Sequence, residues 1–407
     1  MGLGMSNVLC VGVGRKRGEE ILMTTMADRR VVATRFLGRE GLGESEVLET
    51  LDSPILSWMP VFVDGFTPSG EEEYGQSIGT TMVSLQTSKS CLESGADDDG
   101  GSQSGKLFIF DHADGEIISE RNDHKRYCIK AALVKASEEQ WLLATIGWDS
   151  RLNIYAITPK RHDGRQLRIA ELQEPISTLE LASIPEDILW INNPHQNSNS
   201  SDGNILILSR RDSCLLHYYL PTSPQPTLLG TQNLSPHAIS WTIFTPSSLA
   251  LCPTDPTLLA VATSALPNLK LLLVKLLVPD GSESNSTSVT FSTNPRAALQ
   301  LANTYEAAIL HHVSTLAPQT PYSTPKVVWR PDGSGVWVNG DDGCVRGVER
   351  ATGKVVVTLQ GGHEVATKVR TLWAGYIGRG EDKEELLVSG GFDKRVVVWR
   401  SRSGSGE

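Results

Sequence analysis

The stretch Val328-Trp-Arg-Pro-Asp-Gly-Ser-Gly-Val-Trp-Val-Asn-Gly-Asp-Asp-Gly-Cys-Val-Arg346 decides the fold. Short apolar runs flank Pro331-Asp332-Gly333, and a second pair flanks Asp341-Asp342-Gly343. Pro, Asp and Gly clusters between β-rich runs read as tight turns between strands. The chain continues through Ala351-Thr-Gly-Lys-Val355 and Gly362-His363. It reaches Ser389-Gly-Gly-Phe-Asp393-Lys-Arg-Val-Val-Val-Trp399, another apolar run, turn Asp and apolar run.

Outward from this stretch the two-part pattern recurs. It centres on Asp28, Asp149, Asp212, Asp342 and Asp393. A turn Asp bonds amides of its own turn and pins a hairpin. Three copies carry an aromatic six residues after the Asp: Tyr155, Tyr218 and Trp399. Three carry a hydroxyl four residues before it: Thr24, Thr145 and Ser389. Even spacing on a strand puts hydroxyl and Asp on one face, where they share a polar network.

Over about 325–400, and again around 124–157, these motifs closely resemble WD40 repeats. Elsewhere the likeness is extended by strand pattern. The resemblance implies an all-β chain forming a single seven-bladed WD40-type β-propeller over 7–400, with long loop insertions. The approximate blades are 7–36, 53–111, 116–157, 168–221, 227–277, 298–349 and 355–400, followed by a flexible tail at 401–407. Spacings between turn residues 149, 212, 268, 342 and 393 exceed the usual ~40–45-residue repeat. Long loops are therefore expected at 64–79, 92–104, 194–203 and 279–295. Little sequence precedes the first strand. The closing strand is then very short, or the last blade has three strands, or the chain begins late relative to its relatives.

The resemblance also implies His–Ser/Thr–Asp–Trp hydrogen-bonded tetrads. His363, Ser389, Asp393 and Trp399 match one. His124, Thr145, Asp149 and Tyr155 match a variant with Tyr in place of Trp. Asp28, Asp212 and Asp342 are the corresponding blade-turn residues. A Ser/His/Asp catalytic triad uses the same residue types. The arrangement repeats, whereas an enzyme needs it once, so the structural reading is preferred.

The composition limits function. The 407 residues carry 37 basic and 47 acidic side chains, a net charge of −10. That balance disfavours direct nucleic-acid binding, which needs a basic footprint. The run Leu269–Val278 is too short and too charged to span a membrane. Six scattered cysteines without a C-x-x-C pair suit reduced thiols, not a zinc site. Gly12-Val-Gly-Arg-Lys-Arg-Gly18 is not a nucleotide fingerprint, and Asp97-Asp-Asp99 lacks the ligand spacing of a calcium loop. No cofactor and no metal are expected.

The expectation is a non-enzymatic scaffold or adaptor, monomeric within a multiprotein complex of the cytoplasm or nucleus and partnered by other proteins. One alternative is a non-catalytic subunit of an RNA-processing or RNA-modifying complex. Another is a ubiquitin-ligase substrate receptor, although the Trp-Asp-x-Arg ending associated with those receptors is absent from Val398-Trp399-Arg400.

Overall fold

The computed structural model describes residues 6–16, 19–37, 42–50, 55–61, 81–87, 105–111, 116–137, 140–162, 166–169, 172–195, 203–236, 244–279, 295–378 and 383–400. The loops expected at 64–79 and 92–104, most of those at 194–203 and 279–295, and the tail 401–407 lie outside these residues.

The chain builds successive antiparallel sheets. The first contains β1 (Val8–Lys16), β2 (Glu19–Met26), β3 (Arg30–Phe36) and β4 (Leu42–Thr50). The second contains β5 (Ile55–Val61), β6 (Thr81–Thr87), β7 (Gly105–Asp111) and β8 (Glu116–His124). In the third, β9 (Cys128–Lys135), β10 (Trp141–Gly147) and β11 (Arg151–Ile157) are followed by a small hairpin, β12 (Pro159–His162) and β13 (Gln166–Ile169). Then β14 (Ser177–Glu180) returns to pair with β11.

The fourth sheet contains β15 (Pro185–Asn192), β16 (Asn204–Arg210), β17 (Leu215–Leu220) and β18 (Thr227–Asn233). The fifth contains β19 (Pro246–Cys252), β20 (Asp255–Thr263) and β21 (Asn268–Lys275). Helix α1 (Pro295–Ala308) then leads into its outer strand β22 (Ile309–Pro318). The sixth contains β23 (Val327–Trp329), β24 (Gly335–Asn339), β25 (Val345–Glu349) and β26 (Val355–Leu359). The last holds β27 (Val369–Ile377), β28 (Glu384–Gly391) and β29 (Val396–Arg400).

The inner strands β1, β5, β9, β15, β19, β23 and β27 pack side by side in that order, and β27 returns to β1. The sheets therefore close into a propeller. The expected seven-bladed architecture is corrected to six complete four-stranded blades plus one three-stranded sheet. Among the described residues no strand pairs with the outer edge of β29. β1 cannot fill that place, because it is already the inner strand of the first blade.

Apolar faces of neighbouring sheets form the core. Ile146 and Ile154 of the third blade pack with Ile188 and Leu206 of the fourth. Val8, Val11 and Leu22 of the first pack with Val388 and Val396 of the last sheet. This second cluster seals the ring without a shared strand. Fully burying a Val or Leu side chain contributes roughly 1.5–3 kcal/mol.

Helix α1 departs from the all-strand reading. Its first residue is Pro295, which suits a first helical turn. Most of its side chains face solvent, but Tyr305 is buried and donates its hydroxyl to the Thr231 carbonyl at 3.2 Å. That bond pins the helix to β18 of the neighbouring blade.

Candidate functional site

Antiparallel order defines two faces. The hairpin between second and third strands, and the link to the next sheet, both lie where the inner strand begins. This end is called the leading face. All the turn aspartates stand on it.

In the last sheet, His363 Nδ1–H donates to the Asp393 carboxylate at 3.0 Å. The Ser389 hydroxyl lies 2.8 Å from Nε2, and its oxygen accepts Trp399 Nε1–H at 2.8 Å. Asp393 also accepts the Glu364 amide at 3.0 Å and the Arg395 amide at 3.3 Å. One carboxylate thus ties the turn to the link entering the same sheet. Burial works against the Asp393 charge, but the His363 and amide bonds outweigh it and hold the carboxyl below its ordinary value.

The third blade repeats the geometry with a difference. His124 Nδ1 is 3.0 Å from Asp149, Nε2 is 2.9 Å from Thr145, and Asp149 accepts the Lys125 amide at 2.8 Å. Tyr155 does not sit on the hydroxyl as Trp399 does. Its O–H donates to Asp123 at 3.0 Å, beside the fork of Arg121. Burial opposes the His124 charge, but Cys128 and Asp149 outweigh it and raise the imidazole. Asp149 is lowered: burial opposes its charge too, and the His124 bond prevails.

The other turn aspartates use other partners. Asp342 takes the guanidinium of Arg346 at 2.5 and 3.2 Å. Asp28 takes that of Arg30, at 2.6 and 2.8 Å, within its own turn. Asp212 carries no side-chain hydrogen bond among the described residues. The loop closing Ser209–Leu216 is one residue longer than the loop closing Ile146–Leu152. Asp212 itself takes the left-handed φ of 56°, whereas in the third blade Ser150, after the Asp, takes 57°. The glycine two positions before the Asp has a steric cause. A Cβ on Gly147, Gly340 or Gly391 would lie 2.6–2.7 Å from the Asp carboxylate.

A second polar system encircles the channel. The Asp187 carboxylate accepts the Leu249 amide of the next inner strand at 2.8 Å. Ser248 accepts the Val327 amide at 3.4 Å, and Thr371 accepts the Val11 amide at 3.3 Å. Cys10, Lys130, Asp187, Ser248 and Thr371 all pair with the strand residue three before the turn Asp or its equivalent position. They form one layer near the leading face.

Cations gather at this layer. Lys130 pairs with Asp187 at 2.9 Å, and Asp187 is buried. Lys326, just before β23, and Arg370, at the start of β27, make no side-chain hydrogen bond or ion pair among the described residues. Burial first, then Lys130 and Arg370, lower the Lys326 ammonium to about 8 despite the opposing pull of Asp187 and Cys10. Burial also lowers Arg370. These groups come from the first, third, fourth, sixth and last sheets, which meet only at the channel.

This layer is not legible in the sequence. Hairpin lengths vary from blade to blade, so only closure of the ring brings Lys130, Asp187, Lys326 and Arg370 within electrostatic reach of one another. The leading face also exposes Trp148, Leu266, Tyr322, Val365 and Phe392. Trp148 is edged by Tyr127 at 5.3 Å and covered by Arg211 at 5.9 Å.

A closed ring of radial antiparallel sheets defines the class, a β-propeller. The chain belongs to the family described as "UCP007778, beta-propeller domain", whose model matches residues 100–400. Among solved structures it is similar to the crystal structure of Saccharomyces cerevisiae Sqt1, with a TM-score of 0.54 and 11% identity. That likeness covers 98% of this chain and 97% of that one, and it shows the fold alone. No curated protein matches the chain.

Proposed function

We propose that the chain is a WD40-type propeller acting as a non-catalytic adaptor, which holds other proteins in a multiprotein assembly of the cytoplasm or nucleus through its leading face. The carrying observation is the apolar set Trp148, Leu266, Tyr322, Val365 and Phe392, exposed on loops that a hydrogen-bonded ring holds in place. Surface apolar groups gathered on one face of a rigid body suit protein contact. The His–Ser–Asp groups support a structural role, because Ser389 is fully buried and its oxygen is occupied by Trp399. The whole-chain charge of −10 argues against a nucleic-acid partner.

The test is affinity purification of the tagged protein from its native host, beside a Trp148→Ala, Phe392→Ala double variant. A reproducible partner at near-equal stoichiometry, depleted in the variant, is expected. Recovery of no such partner, or retention of it by the variant, rejects the adaptor reading for this face.

A further inference from the structure

A buried cation without an anion is expensive, because it has lost water and gained no partner. Lys326 and Arg370 are half-buried and make no side-chain hydrogen bond or ion pair among the described residues, so each bears part of that cost. Among the described residues the carboxylate of this layer is Asp187, and it already has partners: Oδ1 takes Lys130 and the Ile188 amide, and Oδ2 takes the Leu249 amide. Glu186, which also feels Lys326, is occupied by Arg211 at 2.6 Å. Among the described residues the channel mouth therefore carries uncompensated positive charge, inside a protein whose net charge is −10.

We infer that the mouth of the channel on the leading face binds an acidic peptide, seating one of its carboxylates between Lys326 and Arg370. This rests on the adaptor reading and names the partner's chemistry. A carboxylate placed there accepts charge-assisted bonds from an ammonium and a guanidinium, stronger than neutral hydrogen bonds. Val365, Phe392 and Trp148, exposed on the same face, offer apolar contact to the flanking residues of a peptide. A nucleic acid fits less well. Its affinity comes from many phosphates along a strand, whereas these cations converge on one spot.

The experiment is fluorescence anisotropy with a labelled ten-residue peptide of alternating Glu and Gly, an alternating Lys and Gly peptide, and a ten-nucleotide single-stranded RNA. Wild type is expected to bind the Glu peptide and to ignore the Lys peptide. Lys326→Met and Arg370→Gln should each weaken binding about tenfold or more, the loss of one bond to a charged group. Lys354→Met, on the opposite face, should leave it unchanged. Binding should weaken as pH rises through about 8, where Lys326 loses its proton while facing Lys130, Arg370, Asp187, Glu186 and Cys10. Lys326→Arg should flatten that dependence.

Melting curves check folding, and Lys326→Met is expected to melt no lower than wild type, since it removes a half-buried unpaired charge. Three results overturn the inference: no binding of the Glu peptide by wild type, equal binding by both folded variants, or RNA bound more tightly than the peptide. If a purified native partner survives in Lys326→Met and Arg370→Gln while the Glu peptide does not bind, the acidic-peptide inference falls and the adaptor reading stands. Loss of every partner in wild type rejects both.

Discussion

Asp393 joins a turn, a link and a histidine through one carboxylate. Asp393→Ala should therefore cost about 1–3 kcal/mol, the penalty for orphaning buried donors. Differential scanning calorimetry reads this directly, and a wild-type melting temperature would reject the network as a stabilising unit. Tyr155→Phe should cost less, about 0.5–1.5 kcal/mol, because Asp123 keeps the Arg121 fork when the phenol is lost. Chemical denaturation of both variants side by side tests the ranking. At this scale the sequence was informative wherever spacing is local. Gly391-Phe-Asp393 and Gly147-Trp-Asp149 carry their own steric logic. Tyr155 was misleading in detail, since aromatic spacing cannot say whether a phenol meets Thr145 or Asp123.

The unit of polar organisation at the next scale is the blade with its incoming link. Asp149 and Asp393 are both held below the ordinary carboxylate value. A carboxylate with a depressed folded pKa stabilises the fold at pH above its unfolded value, and this contribution disappears as pH falls through the folded one. Stability should thus drop below about pH 4, and Asp393→Asn should drop less steeply. Urea midpoints measured from pH 3 to 7 decide this, and parallel curves would contradict it. The strand order was readable because turn residues punctuate β-branched runs. Helix α1 was not readable, because it buries chiefly Tyr305 and Ala308 and shows no continuous apolar stripe. The shifted turn at Asp212 escaped for a related reason: one added residue changes loop geometry without changing composition.

For the whole molecule, the sequence indicated a ring but not how its last sheet is built. A strand repeat cannot reveal that β29 ends a sheet with no outer partner, since this depends on which element closes the circle. Closure runs through the inner strands instead. A Cβ on Gly390 would lie 2.5 Å from Val8, so the seam between first and last sheets has no spare room. Gly390→Val should open it, raising amide hydrogen exchange at Val11 more than at Leu249, which is held by Asp187 elsewhere in the ring. Uniform acceleration across the inner strands would mean the seam is not a separate weak point.

The bond from the Val11 amide to Thr371 joins residues 360 positions apart. Its partner leaves the ribosome long after the first blade does. At about 5–20 residues per second, that interval is on the order of tens of seconds. Throughout it, Val8, Val11 and Leu22 lack the Val388 and Val396 surface that covers them in the finished fold. The geometry that gives the mature protein a sealed circumference leaves the nascent chain with an uncovered greasy flank until the last sheet has emerged.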